Sequence, residues 1–255
     1  MDDLGLRTTF DREAARYGRA RPAPPKTLLD AMLKHLRPDA RVMEVGCGTG
    51  QATLPLAQAG LQVQALELGP ALAELARANL SGYPDVTVAT VAFEDFRSST
   101  PFDALVSIQA FHWIAPKTGL MHAASLLRPG GALLLAWHQD CTEDTPFNRA
   151  ADPVYNRHAS PLELNRPTPS SSPDHFVRAL EDSPLFRDLH VSRYPWREVY
   201  GKERYLELLL TYSNVQALEL PMRERFLANI AEIIDQHGGQ VERFYESVLL
   251  SACSK

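Results

Sequence analysis

The sequence predicts an α/β fold built on a doubly wound, mostly parallel sheet of seven strands, with an antiparallel edge strand and a cap insertion. Two observations lead to this prediction. Short apolar segments alternate with helically spaced segments over residues 41–140, which is typical of a parallel sheet covered by helices on both faces. Two strand-like segments, residues 189–196 and 243–252, then favour a hairpin-like pair at one edge of the sheet.

Five of the strands follow one another in the first half of the chain. Each is a short apolar run that ends near a turn signal, and helical spacing fills the intervals. Pro70 fits the first turn of one of these helices, where its missing N–H costs nothing. The predicted strands begin at residues 42, 61, 86, 102 and 132, the helices cover residues 51–59, 71–80, 117–127, 205–215 and 222–236, and RPGG at residues 128–131 is a turn.

Composition limits the partners that the chain is expected to have. The 255 residues are 45% hydrophobic and 22% charged, as in an ordinary globular domain with a smaller cap. The net charge of -5 and the absence of a Lys/Arg run argue against a nucleic-acid partner. Cys47, Cys141 and Cys253 have neither CxxC nor metal-ligand spacing, which suits a reducing compartment and predicts no metal. With no signal-peptide pattern and no apolar run of roughly 18 residues, we expect a cytoplasmic protein without a membrane partner.

A glycine-rich turn follows the first predicted strand. Gly46, Gly48 and Gly50 stand at alternate positions, which indicates positive φ angles or close backbone approach more than a turn without a ligand. A dinucleotide site of the GxGxxG type would have its third glycine where this chain has Gln51. Glu44 lies two residues before the first glycine, and its carboxylate would repel a pyrophosphate. A cationic ligand without phosphate, such as S-adenosylmethionine, suits this turn better.

Four segments in order resemble one enzyme family. EVGCGTG, residues 44–50, resembles motif I, the E/DxGxGxG pattern, of the class I S-adenosylmethionine-dependent methyltransferases. Residues 10–33, 108–114 and 126–137 resemble segments of the small-molecule group that includes trans-aconitate methyltransferases, and residues 205–215 resemble it more loosely. The resemblance implies a Rossmann-like fold and methyl transfer from S-adenosylmethionine to a small-molecule acceptor, with a carboxylate as one candidate acceptor.

Composition and this resemblance together divide the chain into four parts. Residues 1–40 are expected to form a helical lid, and residues 41–140 the S-adenosylmethionine-binding core. Residues 141–187 are expected to be an insertion that caps the acceptor site, and residues 188–255 to complete the sheet. The insertion is rich in Pro and Ser, so we expect it to be irregular, with a mobile loop near residues 166–173.

The residues expected to hold the adenosine follow the second and third predicted strands. Glu67 ends the second strand about twenty residues after the glycines, where an acidic side chain can accept both ribose hydroxyls. The alternative is an exposed glutamate at a helix N-terminus. By resemblance, Leu68 lies against the adenine, and Phe93 and Glu94 lie at the turn that contacts the adenine edge, although Phe93 also suits the core.

The residues expected near the methionyl group come from two other segments. By resemblance, the N-terminal segment folds over the cofactor, with Tyr17 and Arg21 near the methionyl carboxylate, which an arginine fork fits well. The backbone of Gln109 and Ala110, after the fourth strand, is expected to pass beside the methyl group. The predicted cofactor-binding set is Tyr17, Arg21, Glu44, Gly46, Cys47, Gly48, Gly50, Glu67, Leu68, Phe93, Glu94, Gln109 and Ala110.

Three residues are candidates for a catalytic role on the acceptor side. His112 suits a general base or a hydrogen-bond donor to a substrate carboxylate, but equally a histidine bonded in the core. Trp113 suits a wall of the acceptor pocket or simple packing, and His138 ends the fifth strand at the ligand edge. Further candidates for the pocket, or else solvated residues of the insertion, are Tyr155, Asn156, Arg157 and His158.

Several functions stay open on the sequence alone. A methyltransferase for small molecules, acting as a monomer or homodimer, is the first. A non-catalytic S-adenosylmethionine-binding regulatory protein and a methyltransferase for RNA or protein are the alternatives. An NAD-dependent oxidoreductase is disfavoured by Gln51 and Glu44.

Overall fold

The computed structural model describes residues 18–141, 143–159 and 172–255. Within them, the strands are β1 (Arg41–Val45), β2 (Gln62–Glu67), β3 (Val86–Thr90), β4 (Phe102–Ile108), β5 (Leu127–Cys141), β6 (Phe186–Gly201) and β7 (Gln240–Ser254). These seven strands form one sheet in the order β3–β2–β1–β4–β5–β7–β6. Strands β1 to β5 pair in parallel, whereas β7 runs antiparallel to β5 and to the edge strand β6. The predicted fold, including its antiparallel edge, is confirmed.

Helices cover both faces of the parallel strands, and the core therefore has two layers. One layer contains Met43 and Leu105 and packs under the helices at residues 116–126 and 173–181. The other contains Val42 and Val106 and packs under the helices at residues 26–33, 53–58 and 70–79. Consecutive residues of a strand therefore point to opposite faces of the sheet and belong to different layers of the core. The helices are α1 (Lys26–Leu33), α2 (Thr53–Gln58), α3 (Pro70–Asn79), α4 (Pro116–Leu126), α5 (Pro146–Ala159), α6 (Pro173–Glu181), α7 (Lys202–Leu210), α8 (Ser213–Gln216) and α9 (Leu220–Gln236).

A third apolar cluster lies beside the last residues of β6 and the first residues of β7. It joins Tyr205 of α7, Phe226 of α9 and Phe147 of α5 to Tyr245 of β7. The C-terminal segments therefore do more than extend the sheet, because α7, α8 and α9 form an apolar cluster with α5 and β7. Within the described residues, no helix combines the length and apolar character that crossing a membrane requires.

The structure corrects two details of the sequence interpretation. The predicted irregular insertion contains α5, a helix of 14 residues that begins beside Thr145, whose Oγ1 accepts a hydrogen bond from the Asn148 N–H. Pro153 inside the helix hid its periodicity. The predicted turn at residues 128–131 belongs to β5, with Gly130 at a φ of 73°. The predicted loop near residues 166–173 lies mostly outside the described residues.

Candidate functional site

A cavity of about 820 Å³ lies at the carboxyl ends of the parallel strands, where ligands bind in sheets of this kind. The turn after β1, the ends of β2, β4 and β5, and residues from α7, α8 and β7 surround it. Fourteen of the predicted site residues line it: Arg21, Glu44, Gly46, Cys47, Gly48, Glu67, Leu68, Phe93, Glu94, Gln109, Ala110, His112, Trp113 and His138. Tyr17 lies outside the described residues.

Glycine is required at the three positions of the turn for different structural reasons. Gly46 has a φ of 74°, and a Cβ added there would lie 2.2 Å from the Cβ of Ala110, so the β1 turn and the end of β4 are in close contact. Gly48 has a φ of 57°, and no atom of the described chain lies within 4 Å of where its Cβ would be. Gly50, with a φ of 90°, packs against Leu80 and does not line the cavity, so it shapes the turn without facing a ligand.

Two carboxyl groups lie beneath this turn. The oxygens of Glu67 accept hydrogen bonds from the N–H groups of Gly48 and Gly69, both at 2.8 Å, which fixes the carboxylate against the turn. Glu44 is 2% exposed, and within the described part of the chain its Oε2 has no hydrogen-bond partner. Burial, and to a smaller extent the nearby Glu67, raises the pKa of Glu44 to about 7. A buried acceptor without a partner indicates a place where a donor or a cation binds.

Burial also determines the protonation state of the Cys47 thiol, which lies between Gly46 and Gly48 in the sequence. Desolvation and the nearby carboxylates of Glu44 and Glu67 raise the pKa of its thiol well above the ordinary value. The thiol is therefore not a nucleophile at neutral pH. Its contribution to the cavity wall is that of a small residue.

Gln109 joins the ends of β4 and β5. Its side-chain amide donates to the carbonyl oxygen of His138 at 3.3 Å and accepts from the N–H of His138 at 3.1 Å. Its φ is 59°, an uncommon backbone conformation for a residue other than glycine. The paired hydrogen bonds hold this conformation, and they place the following residue, Ala110, against Gly46.

The histidines that line the cavity are neutral at physiological pH. Burial lowers the pKa of both His112 and His138 to about 4. The indole N–H of Trp137 donates to Nδ1 of His112 at 3.3 Å, so the neutral ring of His112 carries its proton on Nε2. His112 can therefore donate a hydrogen bond to a ligand, but it has no free nitrogen to act as a base. His138 Nδ1 shares a hydrogen bond of 2.8 Å with the hydroxyl of Ser247.

Arg21 and Phe93 have firm structural partners as well as places in the cavity wall. Arg21 donates to the hydroxyl of Thr211 at 3.0 Å and lies over the ring of Tyr212, with 4.6 Å to its centroid. Phe93 is buried against Phe111, at 5.7 Å between ring centroids, so the core and cavity roles coexist. Arg21 is thus held in the cavity wall by the segment between α7 and α8.

The candidates from the insertion whose side chains are described do not line the cavity. Tyr155 has its hydroxyl 2.9 Å from that of Tyr205 in the third cluster, whereas Asn156 and Arg157 are exposed, in agreement with the alternative that they are solvated residues. The side chain of His158 lies outside the described part of the structure. Sequence reasoning missed wall residues from segments distant in sequence: Asp140, Tyr212, Asn214, Tyr245 and Glu246. A His/Cys/Asp/Glu group fit for a metal ion is absent from the residues that the structure describes.

Comparison with known proteins shows what the parallel-sheet half of the chain is similar to. Residues 42–131 match the family described as "Methyltransferase domain". A candidate type II methyltransferase from Anaeromyxobacter dehalogenans has the same fold, with a TM-score of 0.66 and 23% identity over 91% of this chain and 97% of that one. Residues 42–131 are therefore similar to a methyltransferase domain, and the chain shares its fold with that methyltransferase.

A curated relative and a second solved structure are also similar to the chain. An uncharacterized methyltransferase from Mycobacterium tuberculosis is 34% identical over 136 residues, which are 53% of this chain and 54% of the relative, so the chain spans about half the length of the curated relatives it matches. Phosphoethanolamine N-methyltransferase 2 of Haemonchus contortus, solved with phosphomonomethylethanolamine and S-adenosylhomocysteine, aligns with a TM-score of 0.60 at 14% identity, over 99% of this chain and 59% of that one. At such identity the likeness concerns the fold alone.

Proposed function

We propose that the protein transfers a methyl group from S-adenosylmethionine to a small-molecule acceptor. The observation that carries the proposal is the pairing of an open glycine turn at Gly48 with the buried, unpartnered carboxyl oxygen of Glu44 among the described residues of the same cavity. A nucleoside with a cationic amino-acid part fits both features. In this proposal residues 41–140 hold the cofactor and residues 141–187 cap the acceptor.

The residues around the turn would divide the cofactor between them. The Glu67 carboxylate, held by two backbone N–H groups, still has lone pairs for the ribose hydroxyls. The Glu44 carboxyl group would lie near the ammonium group, and Arg21 would pair with the methionyl carboxylate. Gln109 and Ala110 would fix the backbone beside the methyl group. These roles extend the resemblance of the sequence to the positions that line the cavity.

The reaction itself asks little covalent chemistry of the protein. Methyl transfer from a sulfonium is an in-line displacement, in which the acceptor forms a bond to the methyl carbon as the carbon–sulfur bond breaks. The sulfonium is already a good leaving group, so orientation of the acceptor and exclusion of water are the main contributions. A carboxylate acceptor would need no base, whereas a hydroxyl or amine must lose a proton.

Binding of S-adenosylhomocysteine to matched glycine variants tests the proposed cofactor site. Gly48→Ala and Gly60→Ala introduce a methyl group at similar φ values, 57° and 77°, and at both positions the described residues leave open space. Gly60 lies outside the cavity wall. By calorimetric titration we expect wild-type affinity in Gly60→Ala and binding weakened by about tenfold or more in Gly48→Ala, because the methyl group would occupy space needed by the cofactor.

Two outcomes would overturn this assignment. If wild-type protein does not bind S-adenosylhomocysteine saturably, the proposed cofactor is wrong. If both variants bind it with equal affinity, the cavity is not the cofactor site. Transfer of labelled methyl groups to a metabolite extract then separates an enzyme from a regulatory protein that binds the same ligand. Parallel reactions with RNA and with protein fractions distinguish methylation of a small molecule from methylation of RNA or protein.

A further inference from the structure

The side of the cavity formed by β5 and β7 contains a carboxylate that the proposed cofactor contacts do not use. Asp140 on β5 and Tyr245 on β7 are cross-strand partners, and both line the cavity. Asp140 Oδ1 lies 2.8 Å from Nη2 of Arg243, and the two side chains are only 18% and 19% exposed. Arg243 in turn donates to the hydroxyl of Tyr205 at 2.9 Å, and that hydroxyl lies 2.9 Å from the hydroxyl of Tyr155. This chain of contacts holds the Asp140 carboxylate in the cavity wall.

A carboxylate in an ion pair can also accept hydrogen bonds from a ligand, because it has about four lone-pair positions and accepts from several donors at once. Two neighbouring side chains are engaged elsewhere. The hydroxyl of Tyr245 lies 3.0 Å from the hydroxyl of Tyr200, and Nδ1 of His138 shares a hydrogen bond with Ser247. Asp140 is therefore a strong hydrogen-bond acceptor at this position of the wall.

The charges around the cavity disfavour an anionic acceptor. Among the described wall residues, Arg21 is the one Lys or Arg, and the proposed function assigns it to the cofactor. His112 and His138 do not supply positive charge at neutral pH, because burial lowers the pKa of each to about 4. Five wall residues carry carboxyl groups: Glu44, Glu67, Glu94, Asp140 and Glu246. An acceptor that carries a carboxylate would be repelled by the carboxylates among these wall groups, whereas a neutral hydroxyl or amine would not.

We propose that Asp140 selects a protic acceptor, whose reacting hydroxyl or amine donates a hydrogen bond to this carboxylate, over the carboxylate acceptors that the family resemblance suggested. The inference rests on the proposed function, since it assigns the other half of the same cavity. As the bond from acceptor oxygen or nitrogen to the methyl carbon forms, the carbon–sulfur electron pair stays on sulfur, leaving the neutral thioether. The proton of the acceptor passes to Asp140 and from there to solvent. Arg243 acts as a positioning residue that orients the carboxylate.

Ligand binding to the protein loaded with S-adenosylhomocysteine tests this selection without the natural acceptor. Phenol, benzyl alcohol, benzylamine and benzoate are probes of similar size that differ in their polar group. Wild-type protein should bind at least one protic probe about tenfold more tightly than benzoate. Asp140→Asn keeps the shape but removes the charge, so it should lose this preference. S-adenosylhomocysteine affinity should stay within about threefold of wild type, which shows that the variant is folded. Asp235 is an exposed aspartate that pairs with Lys202 and does not line the cavity, so Asp235→Asn is the matched control.

The outcomes separate this inference from the function on which it rests. Wild-type protein that binds benzoate as tightly as the protic probes, or binds none of the protic probes, overturns the role of Asp140 but leaves the cofactor site intact. Loss of S-adenosylhomocysteine binding in wild type would instead overturn the proposed function. With labelled S-adenosylmethionine, turnover of a protic acceptor should fall by roughly 100-fold in Asp140→Asn. Methyl esters as the sole products, or an unchanged turnover of a protic acceptor in the variant, would also contradict the inference.

Discussion

Replacing Glu44 with glutamine tests whether burial raises the pKa of this carboxyl group, because the two side chains are similar in shape and glutamine does not ionise. Burial raises the pKa of Glu44 from its ordinary 4.5 to about 7. The unfolded chain therefore releases this proton at a lower pH than the folded protein, and wild-type stability falls as the pH rises through the interval from 4.5 to 7. At about 1.4 kcal/mol for each pH unit, the loss is about 3 kcal/mol. Glutamine does not titrate, so Glu44→Gln should be more stable than wild type at pH 8 by up to this amount.

The same substitution should have the opposite effect on the ligand. If the Glu44 carboxylate lies near the ammonium group of the cofactor, Glu44→Gln should bind S-adenosylhomocysteine about tenfold or more weakly at pH 8. Urea denaturation at pH 5 and pH 8 measures the stabilities, and calorimetric titration measures the affinity. Glu74→Gln, an exposed glutamate of α3, is the control and should change neither quantity. A stability difference between Glu44→Gln and wild type that is the same at both pH values would refute the reasoning.

Two further predictions concern packing and protonation at the site. Gly46→Ala should lower the free energy of unfolding by about 3 kcal/mol or more, because the new methyl group would lie 2.2 Å from the Cβ of Ala110 at a φ of 74°. Adding Ala110→Gly should restore part of that loss in urea denaturation, and no recovery would contradict the contact. By NMR, His112 should stay neutral as the pH falls from 7 to 5 and gain a proton near pH 4, since burial lowers its pKa. Its contribution to stability is thus present above pH 6.5 and lost as the pH falls through 4, and protonation near 6.5 would contradict it.

The cofactor side of the cavity could be predicted from the sequence because its residues stand next to strand ends. In a parallel sheet, all carboxyl ends meet at one edge, so a strand assignment alone brings Glu44, Glu67 and Gln109 together. The glycine spacing added the backbone conformation, and the structure gives positive φ angles at all three glycines. The chemistry of individual side chains did not follow in the same way. Gln109 was predicted to contribute its backbone, yet its side chain also joins two strands.

The acceptor side could not be predicted because no local pattern connects its residues. Asp140 and Tyr245 become neighbours only through the register of β5 with β7, two strands that are distant in sequence. Tyr155 shows the reverse error. It belongs to the insertion expected to cap the acceptor, but the spacing of Phe147, Ala151 and Tyr155 along α5 turns it toward the third cluster. Pro153 concealed that spacing, and a helix was read as an irregular segment.

His112 illustrates how burial alters the chemistry that a residue type suggests. A histidine after the fourth strand indicates a base, because its ordinary pKa of 6.5 lies close to neutrality. In the folded protein it is desolvated, and Trp137 occupies the nitrogen that would take a proton. A group in this state can orient an acceptor by donating a hydrogen bond, but it cannot activate one. The proposed role of Asp140 fits this state of His112, because it assigns the acceptor's proton to a carboxylate that the ion pair with Arg243 holds in a fixed position.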